Sequence, residues 1–116
     1  MIPPQARDYV DMVDRVCRQH GIEPLITLTS LSERCFDSTV PLLFNRNHPA
    51  EIERAHNCHR ALLNGGKALG CIPYRSNTQT MDWFVNADHS HWRLVRQLKE
   101  AVDPEGVIAP GRYCLP

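Results

Sequence analysis

The sequence predicts an α+β fold in which helices pack on one face of an antiparallel sheet. Three stretches carry apolar residues at helical spacing, and they alternate with segments that are rich in β-branched residues. The predicted order is helix, two strands, helix, strand and helix, which is typical of a layer of helices on a sheet. A length of 116 residues allows one domain at most.

Each helix is predicted from its apolar face and from the residues that end it. The first covers 5–19, where apolar side chains recur every three or four positions. The second starts at Pro49, a residue that suits a first helical turn, and it is expected to end at Gly65-Gly66. The last runs from about residue 89 to 102, with Asp88 as its N-cap. The residues expected on its buried side are Trp92, Val95, Leu98 and Val102.

The strands are predicted from runs of β-branched and apolar residues. Residues 25–31 and 36–44 form two such runs, and we expect them to pair as a hairpin. Pro41 indicates an edge or a bulge in the second run. A third strand is predicted at 69–74, and it ends in the stretch Gly70–Asn77, around which the candidate site is built.

A tyrosine and an arginine stand side by side in this stretch. Tyr74 offers a hydroxyl that donates or accepts, and Arg75 offers a fork of donors that keeps its charge. Neighbours on a strand point to opposite faces, so both reach one ligand only where the strand ends or bends. Pro73 and the polar Ser76-Asn77 favour such a break. The pair suits an anionic oxygen, although on the dipeptide alone a surface Tyr-Arg at a strand end is the better interpretation.

Two further residues are candidates for binding. Arg112 follows Pro110-Gly111, so a turn is expected to hold its backbone and aim its guanidinium at a cofactor's polar edge or phosphate. Asp37, in the second strand, suits a base or a pocket carboxylate. From chemistry alone, a C-terminal surface arginine is an equally good interpretation of Arg112, and a solvated turn residue is the better interpretation of Asp37.

A metal site is not predicted. His56 and His59 are three residues apart on a helix and suit one metal ion, but a third ligand would have to come from elsewhere. The sequence has no paired C-x-x-C spacing to support such a site. We therefore expect a partly buried His59 beside an exposed His56.

Composition excludes several other classes of function. The 13 basic and 13 acidic residues cancel, which gives no support for wholesale binding to nucleic acid or to an anionic membrane. No apolar run approaches the ~20 residues that span a bilayer. The first residues lack the features of a signal peptide, and the five scattered cysteines favour free thiols in a reducing compartment. A cytoplasmic location is therefore expected.

Two segments together resemble a known family. Residues 98–112, with Asp103-Pro104-Glu105-Gly106 followed by Pro110-Gly111-Arg112, look like the C-terminal signature of FAD-linked oxidases of the vanillyl-alcohol oxidase type. The second segment is Gly70-x-x-x-Tyr74-Arg75, followed by Met81-Asp82. It resembles the substrate-site segment of the 4-alkylphenol branch, which includes the 4-cresol dehydrogenase (p-cresol methylhydroxylase) flavoprotein.

The resemblance implies a fold and roles for residues. The chain would be the ferredoxin-like half of a flavoenzyme cap domain, with 1–87 as the substrate-domain part and 88–116 as a helix and tail that return to the flavin. Tyr74 and Arg75 would be the catalytic pair that binds a phenolate, and Arg112 would contact FAD. Asp37 would border the substrate pocket, although the family often has a histidine there.

The implied reaction is hydride transfer from the benzylic carbon of a para-alkylphenol to flavin. Complete enzymes of this kind are several times longer, so the chain is expected to be a partial domain that is inactive alone. Its implied partners are an FAD-binding domain or homologous subunit, a phenolic substrate and a c-type cytochrome. The alternative is a non-catalytic α+β module that binds a small anion or a partner protein.

Overall fold

The computed structural model describes residues 3–83, 85 and 89–113, and it confirms the α+β class. The elements are α1 (Pro3–Gln19), β1 (Thr27–Ser32), β2 (Cys35–Thr39), α2 (Pro49–Ala68), a 3-10 turn (Met81–Trp83) and α3 (Ser90–Val102). They fall into two compact units, residues 1–73 and 74–116. The functional division predicted at residue 87 stays a prediction. Among the described residues, no helix has both the length and the apolarity to cross a membrane.

The core of the first unit lies between α1 and α2. The apolar face predicted for α1 is buried, and it packs against α2 and against β2. From α2 the core receives Ala55 and Cys58. His59, which the sequence placed on this face, is exposed instead, since the smaller Cys58 points inward and contacts Cys17. Burial raises the pKa of Cys58 to about 11, so its thiol stays protonated at neutral pH.

Two glycines lie inside α2 rather than at its end. The sequence predicted that the helix stops at Gly65-Gly66, but it continues to Ala68. A Cβ on Gly65 would lie 2.6 Å from the sulfur of Met12, a core residue of α1. The missing side chain at Gly65 therefore lets the two helices approach closely. This packing against α1 keeps Gly65 and Gly66 helical, although glycine by itself favours a helix end.

The sheet of the described residues is the predicted hairpin. β1 and β2 are antiparallel, with Thr27 opposite Thr39 and Ser32 opposite Cys35. All six residues of β1 are exposed, whereas three of the five in β2 are half-buried. The hairpin is therefore attached to the first unit through β2.

Helix α3, in the second unit, leaves part of its apolar face uncovered. Trp92 and Val95 are half-buried. Leu94, Leu98 and Val102 form a stripe at four-residue spacing and are 54%, 57% and 74% exposed. The prediction that Leu98 and Val102 are buried is wrong, since both side chains are exposed in the described part of the chain.

The Gly65 contact predicts opposite effects for two neighbouring substitutions. Gly65→Ala should lower the free energy of unfolding by about 1–3 kcal/mol, because the new methyl group displaces Met12 from the core. Gly66→Ala should raise it by up to ~1 kcal/mol, since the nearest atom is Cys71 Cβ at an ordinary 3.7 Å and alanine favours a helix. Urea denaturation of the three chains measures both effects. Equal shifts in the two variants would contradict the close helix contact.

The uncovered stripe on α3 predicts binding of a hydrophobic dye and self-association. Leu98→Gln should reduce both, because it removes an exposed apolar side chain from the middle of the stripe. Gln97→Glu, an exposed polar position on the same helix, is the matched control and should leave dye binding unchanged. Dye fluorescence and light scattering are the measurements. If the wild-type chain binds the dye as weakly as Leu98→Gln does, the stripe is not a site of hydrophobic binding or self-association.

Candidate functional site

The chain leaves α2 towards the Tyr74-Arg75 pair through a left-handed glycine. Gly70 has a φ of +73°. Its N–H and that of Cys71 donate to carbonyls in the last turn of α2, at 3.0 and 2.9 Å. These are the two hydrogen bonds of a Schellman motif. The third strand predicted at 69–74 is therefore wrong, since this backbone ends a helix instead of joining a sheet.

The structure brings Tyr74 and Arg75 together at a bend in the chain. Both side chains are exposed, and Arg75 Cζ lies 5.2 Å from the centroid of the Tyr74 ring. A guanidinium over an exposed ring gains about 0.5–1 kcal/mol by cation–π attraction. Among the described residues, Arg75 forms no ion pair. The phenolic hydroxyl and the charged fork of donors are thus adjacent, and their binding role stays a prediction.

A capped turn holds the segment that follows this pair. The Asn77 side-chain oxygen accepts hydrogen bonds from the N–H groups of Gln79 and Thr80, at 3.0 and 3.1 Å. Ser76 donates to the sulfur of Met81, whose side chain is fully buried. Tyr74 and Arg75 therefore precede an ordered turn with a buried anchor, which limits the motion of their backbone.

Asp37 lies in the first unit, on β2, where it pairs with Thr29 across the hairpin. One of its carboxylate oxygens accepts a hydrogen bond from the N–H of Ser38 at 2.8 Å. Tyr9, on the partly buried face of α1, lies close enough to this carboxylate to feel its charge, and no signal in the sequence indicated that proximity. Burial raises the pKa of Tyr9, and the Asp37 charge adds to that shift. The role of Asp37 in a substrate pocket stays a prediction.

A buried carboxylate organises the loop that follows α3. Asp103 accepts hydrogen bonds from the N–H groups of Val107 and Ile108, at 3.0 and 2.9 Å, and also from the ammonium group of Lys99. Lys99 in turn donates to the carbonyl of Ile108. The Lys99 hydrogen bond, together with the two N–H donors, lowers the pKa of Asp103. One carboxylate thus closes the loop and directs the chain back along α3.

Arg112 occupies the last position of a tight turn. Its N–H donates to the carbonyl of Ala109 at 3.1 Å, and Gly111 has a φ of +74°. Proline followed by a left-handed glycine is the signature of a type II turn. The turn expected from the sequence is therefore present. The Arg112 side chain is exposed and forms no ion pair within the described ranges.

The two histidines of α2 both lie on the exposed surface. His59 is less buried than expected, yet partial desolvation lowers its pKa, and the neighbouring His56 contributes to the shift. Over the described residues, no three side chains of the metal-binding types come close enough to hold an ion.

The chain is similar to parts of two longer proteins. No family model matches it. Over 102 residues, or 87% of the chain, it is 30% identical to the 4-cresol dehydrogenase (hydroxylating) flavoprotein subunit of Pseudomonas putida. Over 114 residues, or 95% of the chain, it is 33% identical to the 1'-carboxy-chondrochloren decarboxylase of Chondromyces crocatus. It covers 19% and 21% of these proteins, so it spans about a fifth of their length.

The fold comparison agrees with the sequence. The crystal structure of p-cresol methylhydroxylase with substrate bound matches with a TM-score of 0.80 and 28% identity, over 92% of this chain and 21% of that one. The resemblance seen in the sequence is confirmed: the chain is similar in sequence and fold to a part of the 4-cresol dehydrogenase type of flavoprotein.

The lowered pKa of Asp103 predicts an acid-sensitive tail. Because the folded-state pKa lies below the unfolded value of about 3.9, the ionised carboxyl stabilises the folded loop at neutral pH. This stabilisation is lost as the pH falls through the folded-state pKa. The amide resonances of Val107 and Ile108 should therefore shift together only after the pH has fallen below the ordinary carboxyl pKa of about 3.9.

Asp103→Asn removes the titrating group, so these two resonances should no longer shift together with acid. Glu105→Gln is the control, because Glu105 lies in the same loop but is exposed, and it should leave the transition unchanged. A transition that survives in Asp103→Asn would show that another group titrates.

Proposed function

We propose that the chain is the substrate-domain segment of an FAD-dependent oxidoreductase that oxidises para-alkylphenols by hydride transfer to flavin. The observation that supports this proposal is the exposed Tyr74-Arg75 pair, which lies in a sequence segment that resembles the substrate-site segment of the 4-alkylphenol flavoproteins. The chain spans about a fifth of its relatives' length, and the proposed reaction also needs an FAD-binding domain or homologous subunit.

Tyr74 and Arg75 bind the phenolic oxygen of the substrate. The guanidinium forms no ion pair within the described residues, so it is available to an anion. The neighbouring hydroxyl adds a directed hydrogen bond to the same oxygen. Together they favour the phenolate over the phenol, because an adjacent positive charge stabilises the ionised form. A phenolate releases electron density into the ring, and this promotes loss of hydride from the benzylic carbon.

Arg112 fits the role of a flavin contact. Its backbone is fixed by a type II turn, while its guanidinium is exposed and forms no ion pair in the described part of the chain. A planar fork of donors suits the carbonyl oxygens or phosphates of FAD. FAD, when bound, supplies the acceptor for the hydride. Asp37 is proposed to border the substrate pocket, where its charge would set the polarity.

The two relatives named above carry different reactions in their names, a hydroxylating dehydrogenation and a decarboxylation. Fixing an anionic oxygen with Tyr74 and Arg75 serves either reaction, since both relatives act on substrates that can present such an oxygen to a guanidinium. We favour alkylphenol oxidation because the fold match is also to p-cresol methylhydroxylase.

A segment exchange tests the proposal. In a chimera, this chain replaces the corresponding fifth of the Pseudomonas putida flavoprotein subunit. Reduction of the flavin by 4-alkylphenols is then measured under anaerobic conditions as bleaching of its visible absorbance. Substrate-dependent bleaching supports the proposal. A chimera that folds and binds FAD but is not bleached by any alkylphenol would refute it and favour the non-catalytic module.

In the chimera, Arg75→Lys should lower kcat/KM for alkylphenols by on the order of 10²-fold, because a point charge cannot replace a planar fork of donors. Arg93→Lys is the matched control, since Arg93 is an exposed arginine on α3. Its rate should stay close to that of the unsubstituted chimera. Equal rates for the Arg75 and Arg93 variants would remove Arg75 from the substrate site.

A further inference from the structure

The segment after α3, residues 103–113, is called the tail here, and it has an unusual backbone around Arg112. Ala109, Gly111 and Tyr113 have φ values of +45°, +74° and +57°. Glycine adopts this left-handed conformation freely, but a side chain with a Cβ resists it. Ala109 and Tyr113 are the only non-glycine residues with positive φ among those described, and both lie within three positions of Arg112. Such backbone persists only where surrounding contacts hold it.

An aromatic stack holds Tyr113. Its ring lies nearly parallel to that of Trp92, with 6.3 Å between centroids and 11° between planes. Trp92 is itself half-buried and forms a T-shaped contact with the ring of His91, at a centroid distance of 4.8 Å. Offset aromatic pairs at such distances attract each other beyond the area that they bury.

The stack is the second of two attachments between the tail and α3. The first is at Lys99, which binds Asp103 and the carbonyl of Ile108. Trp92 lies seven residues earlier on the helix, which is about 10 Å along its axis. The tail therefore runs back along α3 and is fixed at both points. Arg112 lies between the type II turn and the stacked ring, so its backbone is held on both sides.

We propose that Trp92 and Tyr113 are positioning residues for Arg112: their stack keeps the tail in the left-handed conformation from which the guanidinium reaches its ligand. The ligand is a molecule that presents an anionic oxygen or a carbonyl oxygen to the Arg112 guanidinium. It is the flavin if the function proposed above holds, and the proposal rests on that function for this assignment. The ring of Tyr113, rather than its hydroxyl, does the positioning.

Hydrogen exchange in the 116-residue chain tests the stack directly. Tyr113→Leu should speed exchange of the Arg112 amide by about tenfold, because a stack of this kind contributes roughly that factor to local stability. Tyr113→Phe should restore slow exchange. Tyr113→Gly relieves the backbone strain but lacks a ring, so it should exchange as fast as Tyr113→Leu. The Val107 and Ile108 amides, which are bonded to Asp103, are the internal control and should not change.

Retention of FAD by the chimera then tests whether the stack acts through Arg112. Tyr113→Leu should weaken FAD retention, and this effect should vanish when Arg112→Ala is already present. An unchanged Arg112 amide in Tyr113→Leu, slow exchange in Tyr113→Gly, or a Tyr113 effect that persists in Arg112→Ala would each overturn the proposal. A different outcome is faster amide exchange in Tyr113→Leu together with normal FAD retention in Arg112→Ala. It would support the positioning role of the stack and refute only the contact of Arg112 with the flavin.

Discussion

The close contact between α1 and α2 is the constraint on which the first unit depends. Its core contains few large side chains, and Met12, Val13, Cys17 and Cys58 fill the space between the helices. Such a thin core tolerates little separation of the helices, because each small gap forfeits a large share of the packing. Because Gly65 has no Cβ, Met12 of α1 can pack closely against α2 at this position. A glycine inside a helix weakens that helix, and here the helix contact offsets the loss.

The segments that carry the candidate site residues, by contrast, are held mainly by backbone hydrogen bonds and single polar side chains. Gly70 ends α2 with a Schellman motif, Asn77 caps the turn after the Tyr74-Arg75 pair, and Asp103 closes the loop before Arg112. Each device satisfies several backbone groups within a few residues. The arginines of the candidate site can therefore stay exposed while their backbones are ordered, as a site requires when its ligand supplies the missing contacts.

Sequence reasoning succeeded where the information is local and failed where distant residues decide. The faces of α1 and the hairpin followed from periodicity and β-branched residues. Gly65-Gly66 was misassigned because its conformation depends on Met12, which is more than fifty positions away. The stack of Tyr113 on Trp92 carries no sequence signal, since it joins two residues far apart in the chain. The roles of Tyr74, Arg75 and Arg112 came from resemblance, because an exposed arginine is chemically unremarkable until its ligand is known.

Because β1 is exposed, burial specifies the register of the hairpin only weakly. Sliding β1 by one residue would move every side chain to the opposite face, and normally the loss of buried area forbids this. Here all six residues are already exposed, so burial distinguishes the two alignments only weakly. The connecting residues Glu33 and Arg34 both lack the positive φ of the preferred two-residue hairpin turns. The ladder hydrogen bonds and the half-buried residues of β2 therefore select the alignment, and a strand added beside β1 would reinforce or reset it.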